Sequence, residues 1–220
     1  MQENPVWGQT MTPRYREMVL GKDFTPLGDL SAAFLAPKTE MHLQFAYYES
    51  SLAVEFVVGR FGLEALKKIL DALASGTEIN TAISQHTAPI ETLEKDFKAF
   101  ARERAEQLAP ELEFAKPKVE SIAKIQEDLP ASSLNNFPLL TRQAKKFLKD
   151  KKWPEAKAPL EKLIKLYPAN TGADNAYELL AEAHRHLGET NLERQVLAEF
   201  AARDADSLAT QPLAAAAGLL

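Results

Sequence analysis

Cysteine is absent from the 220-residue sequence. The chain therefore has no disulfide bond, no thiolate ligand for zinc and no cysteine nucleophile. An excess of positive charge is lacking as well, because 26 Lys and Arg stand against 31 Asp and Glu, for a net charge of −5. This balance argues against a protein that binds nucleic acid through bulk charge, and we expect no nucleic-acid partner.

Long apolar runs are also missing. No segment approaches the roughly 20 consecutive apolar residues that a bilayer-spanning helix needs, so we expect no membrane span. The opening residues, MQENPVWGQT, have no basic region followed by an apolar core, so we expect no signal peptide there. They read as loop residues rather than as the start of a domain, and we expect further chain upstream. The sequence leaves the localisation open.

Strand signals are scarce, since few segments alternate apolar and polar residues and no Asn-Gly or Asp-Gly turn occurs. Helical spacing is widespread, and it predicts an all-α fold. The stretch QFAYYESSLAVEFVVGRFG predicts one long helix from His42 to Phe61, ended by Gly62. Residues 24–41 are predicted to be irregular. A following helix is predicted to carry its apolar face on Leu63, Leu66, Ile69, Leu70 and Leu73.

The composition divides the chain into three parts. Residues 1–110 are predicted to form a helical domain. Residues 111–137 are rich in proline and polar residues and are predicted to be a linker with one weak helix at 119–127. Residues 138–220 contain a repeat of helix, turn and helix.

The repeat has a period of 37 residues. Glu193 interrupts it, because a small residue is expected where the first unit has Ala156, and this substitution puts close packing of the second helix pair in doubt. The last residues, SLATQPLAAAAGLL, could start a third unit, for about two and a half units in all. The equivalent pairs are Ala144 with Ala181, Phe147 with His184, Leu160 with Leu197, and Pro168 with Ala205.

This part of the chain resembles the tetratricopeptide repeat family, which forms an α-solenoid. The resemblance implies a concave groove that binds a protein or a peptide. The residues that carry it stand at the small, aromatic, large and proline positions of the family and are Ala144, Phe147, Trp153, Ala156, Leu160, Leu163 and Pro168.

Charge is uneven along the repeat. Residues 141–165 hold nine Lys and Arg against three Asp and Glu, whereas residues 170–206 hold three Arg against eight Asp and Glu. The basic side chains are candidates for binding an acidic peptide or a C-terminal carboxylate. The alternative is an ordinary solvated helix face. The binding candidates are Arg142, Lys145, Lys149 and Lys152.

A metal site in the repeat has little to support it. Glu182 and His186 are four residues apart and lie on one side of a helix, but no third ligand accompanies them. His184 points elsewhere and is predicted to be a packed core histidine. We therefore assign no metal ligand in this chain.

The first half of the chain has an ordered series of features. A tyrosine and small residues begin an apolar helix that ends in an aromatic residue and glycine, and a leucine-rich helix, a glycine turn, a short helix and a final helix follow. These features fall on Tyr47, Ser50, Ser51, Phe61, Gly62, the segment Leu66–Leu73, Gly76 and the segment Leu93–Phe97. Over about residues 7–107 this order resembles the C-terminal helical part of gluzincin zinc peptidases, including the peptidase MA-like proteins.

The resemblance implies that Tyr47 donates its phenol to the oxyanion formed when water attacks a peptide carbonyl. The alternative is a buried aromatic residue whose hydroxyl bonds to the backbone. The neighbouring Tyr48 is predicted to pack in the core, and Glu55 is predicted to be partly exposed or paired with arginine. The His-Glu-x-x-His motif of these enzymes does not occur here, so any zinc is expected in an upstream part and this chain alone is predicted to be inactive.

Three hypotheses on function follow. The chain is the C-terminal fragment, or a non-catalytic remnant, of a zinc metallopeptidase-like protein with a tetratricopeptide module for protein or peptide binding. Alternatively, it is a stand-alone adaptor in which the first half only caps the repeats. A third hypothesis, a metal-binding regulator that uses Glu182 and His186, depends on zinc binding by the repeat half.

Overall fold

The computed structural model of the chain describes residues 10–116, 134–172 and 175–203. Within these residues the regular elements are ten α-helices and one 3-10 turn, and the prediction of an all-α fold is confirmed. The same residues include no helix that is long and apolar enough to cross a membrane. The chain divides between Leu108 and Ala109 into two compact units.

From residue 10 onward, the part that the structure describes, the first unit has six helices and a 3-10 turn at Leu27–Asp29. Its longest helix packs against the helices on either side of it in sequence and against the last helix of the unit. The helices are α1 (Pro13–Leu20), α2 (Leu30–Leu35), α3 (Glu40–Phe61), α4 (Leu63–Ala74), α5 (Ile79–His86) and α6 (Ile90–Glu106).

Helix α3 supplies the centre of the first core. Its 22 residues begin after Thr39, whose side chain accepts a hydrogen bond from the backbone of His42, as an N-cap residue does. The helix ends at Gly62, which has φ of +83°, a conformation that favours glycine. The predicted long helix and its glycine stop are thus confirmed. Its buried apolar side chains include Phe45, Tyr48, Leu52, Phe56 and Val57.

Two predictions for this unit are wrong in part. Residues 24–41 are not irregular throughout, because they contain the 3-10 turn and α2, which is six residues long. In α4 the buried side chains are Ala65 and Ile69, whereas Leu63 and Leu70 are exposed. Leu66 and Leu73 of the predicted apolar face are half-buried, so this face is wider than the surface that the neighbouring elements cover.

Helix α6 closes the first unit against both α1 and α3. The Arg16 side chain donates to the Ala105 carbonyl oxygen at 3.0 Å, which joins the first and last helices. On the other side, Arg104 pairs with Glu55, as predicted for that glutamate. Such pairs are exposed, and each contributes about 0–1 kcal/mol. The buried side chains of α6, with Leu93 and Phe97 among them, therefore hold it mainly by packing.

Within its described residues, 109–116, 134–172 and 175–203, the second unit has four helices in two pairs. Each helix packs against the next one along the chain, as in a repeat architecture. The connections within the pairs are short, which favours antiparallel neighbours. The helices are α7 (Phe137–Lys149), α8 (Trp153–Leu166), α9 (Ala176–His186) and α10 (Thr190–Ala201).

The positions predicted to be equivalent agree in burial only in part, since Leu160 is buried whereas Leu197 is half-buried. Ala144 and Ala181 are both buried, as small residues at a close approach of helices should be. His184 is buried where the first pair has Phe147, which confirms its prediction as a core histidine. Glu193 does not prevent α10 from packing on α9, because its carboxylate pairs with Arg185 Nε at 2.7 Å.

A carboxylate joins three parts of the second unit. Glu189 precedes α10, and its oxygens accept hydrogen bonds from Lys157 Nζ of α8 at 2.9 and 3.1 Å. His184 Nδ1 of α9 lies 2.6 Å from Glu189 Oε2. The hydrogen bonds from Lys157 and then from His184 lower the pKa of the Glu189 carboxyl. Glu189 therefore gives the buried histidine a polar partner.

The described ends of the segment 111–137 are paired with each other. The backbone N–H of Glu113 donates to Asn135 O at 2.7 Å, and the N–H of Phe137 donates to Glu113 O at 2.8 Å. Asn136 then caps α7 by accepting a hydrogen bond from the backbone of Leu139. The weak helix predicted at 119–127 and the third repeat unit predicted after residue 206 lie outside the described residues.

We predict that Asn175→Ala lowers the free energy of unfolding of the chain. The buried Asn175 side chain accepts from Glu178 N at 3.0 Å and donates to Gly172 O at 2.9 Å. Loss of this N-cap should cost about 1–2 kcal/mol. Urea unfolding followed by circular dichroism measures the change. The matched control is Asn191→Ala at an exposed position of α10, which should stay within about 0.5 kcal/mol; equal losses would show that the cap contributes nothing special.

Candidate functional site

The two adjacent tyrosines of α3 point in different directions, because consecutive helix residues lie about 100° apart. Tyr48 is only 3% exposed, stacks on Tyr15 with 4.8 Å between ring centroids, and donates to Met11 Sδ at 3.5 Å. Tyr47 is 55% exposed, and its ring packs edge-to-face with the ring of Phe34, with 4.9 Å between the ring centroids. The packing role predicted for Tyr48 is confirmed.

The exposure of Tyr47 decides between two alternatives for its environment. A buried ring with its hydroxyl bonded to the backbone is the wrong one, because more than half of the side chain is open to solvent. Within the described residues, its hydroxyl has no hydrogen-bond partner. The catalytic role of Tyr47 stays a prediction.

Sequence reasoning missed Glu49, the residue that follows the two tyrosines. Its side chain is 1% exposed, although it is a carboxylate. Oε1 accepts a hydrogen bond from the backbone N–H of Thr25 at 2.7 Å. Oε2 is also buried but has no hydrogen-bond partner in the part of the chain that the structure describes. A buried acidic oxygen without a partner is costly, and it marks this place as a candidate site.

Glu49 lines a cavity of about 370 Å³ between α3 and the segment that precedes it. This volume lies at the small end of the range for ligand pockets. The segment 22–38 supplies most of the wall, and α3 supplies the rest. The charged and polar lining residues are Lys22, Asp23, Thr25, Asp29, Lys38, His42 and Glu49.

The pKa values of two acidic residues in the cavity lining, Glu49 and Asp23, shift in opposite directions. Burial raises the pKa of the Glu49 carboxyl from 4.5 to about 7, with hydrogen bonds from the backbone and the side chain of Thr25 opposing the rise and the charge of Asp23 adding to it. Hydrogen bonds from His42 and Lys38 instead lower the pKa of the Asp23 carboxyl. Asp23 is therefore a satisfied anion, whereas Glu49 changes its charge near neutral pH.

A pattern in the sequence could have identified Glu49. It stands four residues after Phe45 and three before Leu52, so it shares their face of the helix. Both of those neighbours are buried. Glu55, six residues further along the same helix, lies on the exposed side. An acid at the spacing of the core residues was the available signal.

The predicted binding residues of the second unit lie on its surface. Arg142, Lys145 and Lys149 are exposed and follow the spacing i, i+3 and i+7, so they form one stripe along α7. Lys152 is exposed just after this helix. The buried residues Leu140, Ala144 and Leu148 occupy the opposite face. These four basic side chains are called the basic stripe below.

The side chains of Glu182, His184 and His186 do not converge on a metal site. His186 Nε2 lies 4.0 Å from Glu182 Oε1, and its ring stacks on Trp153 with 4.0 Å between centroids. His184 is occupied by Glu189. No group of three His, Asp or Glu in residues 10–116, 134–172 and 175–203 could hold a metal ion. These residues do not fit the zinc that the peptidase resemblance implies, and we assign no reaction step to zinc.

We predict that Glu49→Gln removes a loss of stability at rising pH. Because the folded pKa is raised, the stability from protonated Glu49 is complete below about pH 4.5 and disappears as the pH rises through about 7. The shift corresponds to about 3 kcal/mol at most. Urea unfolding of the wild type and of the variant at pH 4.5 and pH 8 measures it.

The free energy of unfolding of Glu49→Gln should therefore rise relative to that of the wild type as the pH increases. The matched control is Glu55→Gln, which removes a carboxylate from the exposed side of the same helix, so an equal effect in this variant would assign the change to net charge. A constant difference between wild type and Glu49→Gln would contradict the raised pKa.

Comparisons of the chain with protein-family models, with curated proteins and with solved structures found no match.

Proposed function

We propose that the second unit binds an acidic segment of a partner protein through the basic stripe. The observation that carries this proposal is the alignment of Arg142, Lys145 and Lys149 on the face of α7 opposite its buried side. Side chains on one helix face can contact one extended ligand together. The resemblance to tetratricopeptide repeats adds to this, because such repeats bind peptides along a surface of stacked helices.

The physical basis of such binding is electrostatic. Each exposed ion pair contributes little, at about 0–1 kcal/mol, but a row of four cations acts on several carboxylates at once. Like charges held on one face also attract an acidic partner before contact is made. The interaction should therefore be strong at low ionic strength and weaken when salt screens it.

For the first unit we propose the helical subdomain of a peptidase MA-like protein. The exposure of the Tyr47 hydroxyl supports this second candidate function. A neutral O–H group near the surface can donate to negative charge that develops on a peptide carbonyl, which stabilises the transition state more than the ground state. Tyr48 cannot do this, because its hydroxyl is buried on Met11.

The rival proposal is a stand-alone adaptor, in which the first unit only supports the second. Metal analysis of the longest natural product that contains this sequence distinguishes the two. Stoichiometric zinc would favour the peptidase-like protein. Absence of zinc from that product, together with partner binding by the basic stripe, would favour the adaptor.

We predict that the double substitution Arg142→Glu and Lys149→Glu weakens binding of an acidic peptide by about tenfold or more at low salt. Reversal replaces two attractions with two repulsions. Fluorescence anisotropy with a labelled peptide of alternating Glu and Ala measures the affinity. The control is Lys95→Glu with Lys98→Glu, two exposed lysines of α6, which makes the same change in net charge.

The control variant should bind the peptide nearly as well as the wild type. Equal weakening by both double variants would assign the binding to net charge and would remove the basic stripe from the proposal. The difference between the two variants should also shrink as salt is raised.

We predict that Tyr47→Phe lowers the maximal peptidase rate of a zinc-containing natural product about 100-fold, because the oxyanion loses one hydrogen bond. The same change should leave the melting temperature nearly unaltered, since the hydroxyl lies at the surface. Tyr48→Phe is the matched control, and it should keep the rate while losing the contact with Met11 Sδ. An unchanged rate in Tyr47→Phe would exclude Tyr47 from the reaction.

A further inference from the structure

The cavity lined by Glu49 has an unmatched negative group. Glu49 Oε1 is used by Thr25, while Oε2 is buried without a partner in the described part of the chain. A helix within the first core does not need a carboxylate at this position, since a glutamine could accept the same hydrogen bond. The unpaired oxygen therefore points to a group that is brought in from outside.

The other charges around the cavity do not supply that group. Asp23 Oδ1 lies 3.3 Å from Lys38 Nζ and 3.4 Å from His42 Nε2, so both of these side chains already have a partner. On the side of α6, Glu94 Oε1 accepts from Gly28 N at 3.4 Å and brings a further carboxylate to the 3-10 turn. The remaining charged residues of the lining are Lys22, which is exposed, and Asp29.

The rest of the wall is apolar. Short side chains of α2 and two aromatic rings line it, and such surfaces favour an aliphatic body over a second charge. The volume of about 370 Å³ is ample for a small ligand with a short aliphatic chain. The apolar lining residues include Phe24, Ala32, Ala33, Ala36 and Phe45.

We propose that this cavity binds a small primary ammonium ion with a short aliphatic chain, and that Glu49 Oε2 accepts a hydrogen bond from its nitrogen. An ammonium group offers three donors and a full positive charge. It would satisfy the orphaned oxygen and offset the cost of a buried anion. The aliphatic chain would lie against the alanines and aromatic rings.

Binding would be coupled to a proton. When Glu49 is protonated, the ammonium ion displaces that proton, which goes to solvent, and the carboxylate then pairs with the ammonium. An alkylammonium resembles the lysine side chain, whose pKa is about 10.4, and it keeps its charge between pH 6 and 8. Affinity should therefore rise up to about tenfold per pH unit below pH 7 and level off above it.

The experiment is a calorimetric titration of the full chain with n-pentylammonium chloride at pH 6, 7 and 8. The uncharged 1-pentanol has the same aliphatic chain and serves as the ligand control. At pH 8 we expect pentylammonium to bind at least tenfold more tightly than pentanol. Equal affinity for the two ligands, or no binding of pentylammonium at any pH, would overturn the proposal.

Two variants test which residue is responsible. Glu49→Gln keeps the size of the side chain and an acceptor for Thr25, so it should fold, and it should lose both the preference for the ammonium and its pH dependence. His42→Gln should keep both. If Glu49→Gln retained the pH dependence and His42→Gln lost it, the histidine would govern binding and the assignment to Glu49 would be wrong.

A measurement on the wild type does not depend on the folding of any variant. The carboxyl carbon of Glu49 can be followed by NMR as the pH is varied. Saturating pentylammonium should move the midpoint of its titration to lower pH, because the ligand favours the ionised form. An unchanged midpoint would contradict direct contact. This site lies in the first unit, so its failure would not affect the basic stripe of the second.

Discussion

The first unit depends on one constraint, which is that a single long helix must serve several surroundings at once. Helix α3 packs on α2, α4 and α6, so more than one of its sides is buried. Residues one position apart then face different surroundings. Tyr47 faces solvent, Tyr48 packs in the core and Glu49 lines the cavity.

This arrangement places a charged group where only apolar packing would be needed. Burial of a carboxylate raises the free energy of the folded state unless the group is protonated or paired. One Glu49 oxygen is paired through the backbone of Thr25, and the other is not. Because Glu49 lines the cavity, a ligand bound there can offset the free-energy cost of burying the unpaired oxygen. The second unit shows the opposite solution, because its buried His184 has a partner in Glu189.

Much of the fold could be predicted from the sequence. The long apolar run from Gln44 predicted α3, and Gly62 predicted its end, because both signals are local in the sequence. The short α2 was not predicted, since six residues among prolines and glycine form a helix only when neighbouring elements cover them. The exposure of Leu63 and Leu70 on the apolar face of α4 was not predicted for a related reason. Leucine spacing shows which residues share a face, but the position of the neighbouring helices decides which of them are buried.

The candidate site could be predicted only in part. The basic stripe follows from helical spacing alone. Glu49 was missed because charged residues are almost always exposed, and its burial depends on Thr25, which is 24 residues away in the sequence. The direction of Tyr47 likewise depends on contacts that adjacent tyrosines in a sequence do not reveal.

The contact between Arg16 and Ala105 has a consequence for folding kinetics. It joins residues 89 positions apart, so the first unit closes only when almost all of its chain is present. In the second unit, each described helix packs on its sequence neighbour, and contacts are local. Because folding slows as contacts become more distant in sequence, the first unit should be the slower of the two to form. The apolar helix faces of the first unit are then exposed to solvent for longer during synthesis than those of the helix pairs in the second unit.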